Sequence, residues 1–200
     1  MNAIPLQEPA NYPVPFRVSL ETVLDVAREF HSGHKGKTRA LALWGGFFDC
    51  VAIHFRLFSE VSRARLRKRG QHDLNPADLE CLNEHGVVML ALELRKKSAS
   101  FNDIQATIIH ARNRDIREVF FTAPRVDAGD AVQIHSRIAT AFASGQNLYV
   151  ADFFDLAKAV LALGGEKMRV LFLRKVGEHL DTWNTQPSHR QAWKRLLQSI

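Results

Sequence analysis

Asp78 and Glu93 are carboxylates on either side of a tight-turn signal, NEHG at 83–86, and the segment carrying Glu93 runs on into Arg95 and Lys97. Alternate residues of an extended strand share a face, so Glu93, Arg95 and Lys97 point one way while Leu92 and Leu94 point into the opposite layer. Asp78 and Glu80 share a face of the partner strand in the same manner. Counting outward from a turn centred near Glu84 and His85 brings Asp78 about level with Glu93. Two carboxylates held side by side at the edge of a rigid sheet repel each other unless a cation lies between them, and hard oxygen ligands of this kind suit Mg²⁺ or Mn²⁺. A metal there polarises a phosphodiester and lowers the pKa of an attacking water, while a neighbouring cationic side chain stabilises charge on the transferring phosphoryl group. The plainer alternative is a strand that leaves the core and ends in solvated charges, with Glu93 paired to a basic neighbour.

The elements that must position these residues are marked by changes of period. ADLECL alternates, VVMLALEL is a nearly continuous apolar run of the kind found in central strands buried on both faces, and NEHG joins them as a β-hairpin. Ser100, Asn102 and Asp103 open a helix in which Ile104, Ile108, Ile109 and Ala111 line one side, and REVFFTA comes next as a short strand. A second round repeats the order: DAVQIHSRIATAFASG is a helix closed by Gly145, NLYVAD a strand, and FFDLAKAVLALGG a helix closed by Gly164. Two more helices complete the chain, and this alternation predicts a three-layer α/β domain with a mixed central sheet flanked by helices.

Upstream, Pro5, Pro9, Pro13 and Pro15 mark residues 1–16 as an extended arm. Leu20, Val23, Leu24, Ala27 and Phe30 share one face of a helix begun at Ser19. From Thr38 to Arg69 the sequence reads as helical with a strongly basic end, Gly45 and Gly46 marking a break, a kink or close packing. The organisation expected is the arm and then one domain over 17–200, with its core at 75–150 and C-terminal helices over 152–200.

Composition bounds the function. A hydrophobic fraction of 46% with 24% charged residues is that of a globular domain. No apolar run reaches the roughly 18 residues that span a bilayer, and the N-terminus has no basic n-region or apolar h-region, so a cytoplasmic protein with no membrane partner is expected. Cys50 and Cys81 form no CxxC or zinc-spaced cluster and read as reduced core residues. His31 and His34 flank a glycine without an identifiable third ligand, and His54 and His110 read as packed or half-buried. Trp183 and Trp193 fit helix faces, which favours a core or dimer contact over base stacking. The net charge of +6 favours a polyanionic partner. Arg63, Arg65, Arg67, Lys68 and Arg69 crowd one segment shortly before Asp78, either as a solvated helix terminus or as phosphate contacts. Lys35, Lys37 and Arg39 form a second candidate contact to a DNA backbone.

PAD at 76–78, the hairpin, ELRKK at 93–97 and a helix leading to REVFF together resemble the PD-(D/E)xK nuclease superfamily. ALELRKKSASFNDIQATIIHARNRDIREVFF, with the later FASGQNLYVADFFDLAKAVLAL, is similar more narrowly to the SacI-like family of type II restriction endonucleases, over roughly residues 75–197. The resemblance implies a restriction-endonuclease-like core with helical N- and C-terminal additions. It also implies Asp78 and Glu93 as ligands of Mg²⁺, or of Mn²⁺, with the main-chain carbonyl of Leu94 a further oxygen ligand. The superfamily's lysine falls on Arg95, whose guanidinium stabilises an anion but cannot act as a general base, and Lys97 is the other candidate for that cation. The expected activity is that of a DNA endonuclease of restriction or anti-phage defence, acting on double-stranded DNA as a homodimer, because symmetric cleavage calls for two sites about a two-fold axis. The alternative is a catalytically degenerate nuclease fold that binds DNA, or a protein partner in a defence complex, without cutting. A basic α/β interaction protein with no nucleic-acid role is the third reading.

Overall fold

The computed structural model describes residues 10–33, 36–63 and 77–200, and the chain groups into two compact units, Leu57–Asp155 and the segments Met1–Arg56 with Leu156–Ile200. The continuous unit contains the sheet. Its strands are β1 (Glu60–Arg63), β2 (Leu79–Leu82), β3 (Val88–Leu94), β4 (Glu118–Thr122) and β5 (Asn147–Val150), paired in that spatial order. β1, β2 and β3 pair antiparallel, whereas β3, β4 and β5 pair parallel, so the sheet is mixed. Parallel neighbours need crossovers. Helix α3 (Phe101–Arg112) supplies the one between β3 and β4, and α4 (Ala131–Ala143) the one between β4 and β5.

Local chemistry explains the boundaries. The β2–β3 turn is fixed by Asn83, whose Oδ1 accepts from the main-chain N–H groups of His85 (2.9 Å) and Val87 (3.0 Å). Gly86 completes it at φ +74°, a left-handed conformation that side chains resist. β3 is buried on both faces only in its second half, Ala91 to Leu94, while Met89 is exposed. α3 opens with a capping box in which the Ser100 hydroxyl accepts from the Asp103 N–H and the Asp103 carboxylate accepts from the Ser100 N–H. Ile104, Ile108, Val119, Phe121, Ile134 and Leu148 then close a core between the helices and one face of the sheet. Burial of Phe121, Ile104 or Ile108 contributes about 1.5–3 kcal/mol each.

The basic stretch departs from its expected form. The helix α2 (Lys37–Phe55) ends at Phe55, Arg56 turns into the left-handed region at φ 56°, and Glu60–Arg63 is the edge strand β1 rather than the end of a helix. The residues of β1 are stabilised by pairing with β2, a long-range partner that leaves no mark on the local period.

The second unit is helical among its described residues, with α1 (Leu20–Ser32), α2, α6 (Gly165–Thr182) and α7 (Pro187–Gln198); α5 (Phe153–Leu163) runs across the boundary between the units. α2 is unbroken. Gly45 and Gly46 are sites of close packing against α6: a methyl on Gly46 would stand 2.8 Å from the main-chain nitrogen of Val176, and one on Gly45 would meet Trp183 and His179. Phe30 and Trp193 pack with ring centroids 4.8 Å apart, and the buried Trp193 indole donates to the Leu173 carbonyl. Cys50 and Cys81 are free thiols, both buried. His54 and His110, by contrast, are exposed, because each falls on the outer side of its helix. Among the described residues no helix is long and apolar enough to cross a membrane.

Candidate active site

The hairpin register pairs Leu79 with Leu92 and Glu80 with Ala91, and Asp78 stands one residue before this ladder, against the Leu92–Leu94 end of β3. Asp78 lies at the entrance to β2, where its N–H donates to the Leu92 carbonyl (2.7 Å) and its Oδ2 accepts from the Leu94 N–H (2.8 Å). The carboxylate thus substitutes for a main-chain acceptor and is tied to the residue after Glu93. Glu80, paired with Ala91 in the sheet, forms an ion pair with Arg114.

Glu93 is buried, at 6% exposure, and stands beside Phe121 in the parallel register of β3 with β4. Its Oε1 receives Arg95 Nη1 at 2.7 Å, and Arg95 Nε lies 3.3 Å from Asp103 Oδ1. Arg95 therefore bridges the last acid of β3 and the first turn of α3, while its own N–H donates to the Thr122 carbonyl of β4. Burial alone would raise the Asp103 carboxyl; hydrogen bonds from Ser100 and the Arg95 guanidinium outweigh it and hold the group below its ordinary value.

Asp103 is the member of this cluster that the sequence conceals. Its Ser100-x-x-Asp103 spacing reads as a helix cap, which it is, but the same carboxylate returns over the end of β3 because α3 starts only a short loop beyond that strand. Arg63 also belongs here. It ends β1 opposite Leu79, and although burial lowers its pKa, the charge of neighbouring Asp78 acts in the opposite direction. Lys97 lies past the end of β3 in an exposed bend, so strand alternation does not carry to it.

The other expected DNA contacts are dispersed. Arg65, Arg67, Lys68, Arg69 and Lys35 lie outside the described residues. Lys37 is the first residue of α2. Arg39 is engaged internally: Nη1 donates to the Phe30 carbonyl (2.9 Å), Nε to His189 Nδ1 (3.3 Å), and the guanidinium lies 4.9 Å from the centre of the Phe30 ring. Glu21 and Glu29, the acids of α1, are exposed in the helical unit and add no carboxylate to this cluster's described contacts.

Asp78, Glu93 and the Leu94 carbonyl offer hard oxygen donors, the chemistry that a Mg²⁺ or Mn²⁺ ion takes. Among the described residues no group of three or more His, Cys, Asp or Glu side chains is arranged to hold a metal ion, and this donor set has two such side chains. The site stands at the carboxyl end of β3, where open α/β sheets commonly present ligand-binding groups. The chain matches no protein-family model and no curated protein.

Proposed function

We propose that the protein is a Mg²⁺- or Mn²⁺-dependent endonuclease of double-stranded DNA, working in restriction or anti-phage defence. The observation that carries this reading is the Asp78 carboxylate accepting from the Leu94 N–H, which ties it to the segment that carries Glu93, with Arg95 two residues on and in contact with Glu93. It is supported by the chain order around the site: an antiparallel β1–β2–β3 meander, then α3, then β4 parallel to β3. This is the order of hairpin, helix and strand on which the resemblance to PD-(D/E)xK nucleases rests.

In this reading Asp78, Glu93 and the Leu94 carbonyl hold the ion, which when bound supplies Lewis-acid polarisation of the phosphodiester and a more acidic water. The Leu94 N–H keeps the Asp78 carboxylate from rotating away from the site. Arg95, whose guanidinium touches Glu93, stabilises the developing negative charge. Arg63 and the basic run that continues from it provide cations for the DNA backbone. A homodimer would present two such sites to the two strands.

One observation favours the second reading, a degenerate nuclease fold that binds DNA or a defence-system protein without cutting. Arg95 already neutralises Glu93 and Asp103 together. An internal cation of this kind offsets part of the charge that a metal ion would otherwise neutralise. The discriminating experiment incubates supercoiled plasmid with the protein and Mg²⁺ or Mn²⁺, beside Asp78→Ala and Glu93→Ala. Metal-dependent nicking or linearisation lost in both variants is expected. Cleavage that survives both substitutions removes this site, and DNA binding without cleavage at any metal concentration selects the second reading.

A further inference from the structure

The described part of the N-terminal arm is extended and fastened at two points. On one side the Ala10 N–H and the Tyr12 hydroxyl donate to Asp181 (2.9 and 3.1 Å), and the Tyr12 ring fills the space left by Gly177. On the other, Val18 is buried, its carbonyl accepts from Arg169 Nε (3.0 Å), and Arg17 pairs with Glu166 (3.1 Å). Between these fastenings Phe16 is 93% exposed. A phenylalanine held out in water by a segment that is pinned on both sides is not a frayed residue; its burial is left to something else.

Beside it lies a trough of about 620 Å³ between Val14, Pro15 and Phe16 of the arm and α6. Val170 and Leu171 form its half-buried apolar floor. Lys167 and Arg174 sit one turn before and one turn after them on the same stripe of the helix, both exposed, and neither makes an ion pair with a described residue. The acid of the rim, Glu166, is already held by Arg17.

We infer that this trough is a docking site for an acidic, amphipathic peptide segment of a partner protein, with an aliphatic or aromatic anchor on the floor against Phe16 and carboxylates on Lys167 and Arg174. Charge complementarity selects the occupant. A second copy of the chain placed there about a two-fold axis would set Lys167 and Arg174 against the same cations, which like-charge repulsion opposes. The proposal is independent of the nuclease reading, since the trough belongs wholly to the helical unit.

The test is selection of a random peptide library on the immobilised full-length protein, counter-selected against the triple variant Phe16→Ser/Lys167→Glu/Arg174→Glu. All three side chains are exposed, so the variant should keep the wild-type circular dichroism and melting temperature. Peptides rich in Asp and Glu around one or two Leu, Ile or Phe residues are expected, with affinity reduced at least ~tenfold by Phe16→Ser alone. A pool without acidic bias, no enrichment over the triple variant, or equal binding to it would overturn the proposal. Two parallel measurements identify other occupants and would overturn it as well: a light-scattering mass that falls from dimer to monomer on Phe16→Ser, or duplex-DNA binding abolished by Lys167→Glu/Arg174→Glu without any acidic peptide being selected.

Discussion

Arg95 sits between two acids, with Glu93 at 2.7 Å and Asp103 at 3.3 Å, and this decides how its replacements behave. Removing the guanidinium leaves Glu93 buried with its positive partner gone. Because the Arg95 side chain is about one-third exposed, the penalty is below that of a fully buried pair, and Arg95→Ala should lower stability by about 1–3 kcal/mol in urea unfolding. Arg95→Lys retains one charge but not the fork that reaches both acids, so it should recover part of that loss. In the endonuclease reading the same variant carries the superfamily's usual residue, and plasmid cleavage should persist or rise. Asp103 adds a pH dependence with a defined sign. Its folded-state pKa is depressed, so the unfolded chain binds the proton more tightly and the group's stabilisation is complete above its unfolded value near 4. As pH falls below that value and through the folded pKa the stabilisation is lost. The stability advantage of the wild type over Asp103→Asn, tracked by urea titrations, should be constant from neutral pH to about 4 and shrink below it.

Elements were legible where their signals are local. The Asn83–Gly86 turn, the Ser100 cap, Gly145 at φ +82° and the apolar periods around them can be read from neighbouring residues alone, and they delimit β2, β3, α3 and α4. The hairpin turn likewise brings Asp78 to the end of β3, although this residue falls just before β2 and its N–H bonds the Leu92 carbonyl. β1 and the Arg95–Asp103 contact were not legible. A four-residue strand beside a basic run has too short a period to separate from a helix, and a carboxylate that caps one element while neutralising another reveals only the cap. The α2–α6 contact is likewise tertiary: Gly45 and Gly46 announced an irregularity, but only the opposing Val176 backbone explains it. A methyl at position 46 has no room, so Gly46→Ala should destabilise by about 1–3 kcal/mol despite the better helix propensity of alanine, as thermal unfolding would register. Ser100→Ala, which removes the α3 cap, should lose about 1 kcal/mol by the same measurement.

For the molecule as a whole, the net charge of +6 gives a test of the polyanion reading that does not depend on cleavage. If duplex DNA is the partner, affinity should fall steeply and log-linearly with salt concentration, and Arg63→Ala should reduce that slope by about one while weakening all sequences alike. A flat salt response would remove nucleic acid as a partner. The order of the two units along the chain bears on a different property, how the protein is made. Leu57–Asp155 is continuous, whereas the helical unit needs α2 from before it and α6 from after it. A ribosome therefore delivers every strand of the sheet before it delivers α6, and α2 must wait. Joining α2 to α6 across an unstructured intervening chain would cost roughly 4 kcal/mol in closure entropy beyond the length-independent part, whereas the sheet unit closes on shorter loops. Pulse-labelling hydrogen exchange during refolding should accordingly find amides of β3, α3 and β4 protected before those of α1, α2 and α6, so that synthesis order and the faster folding route coincide.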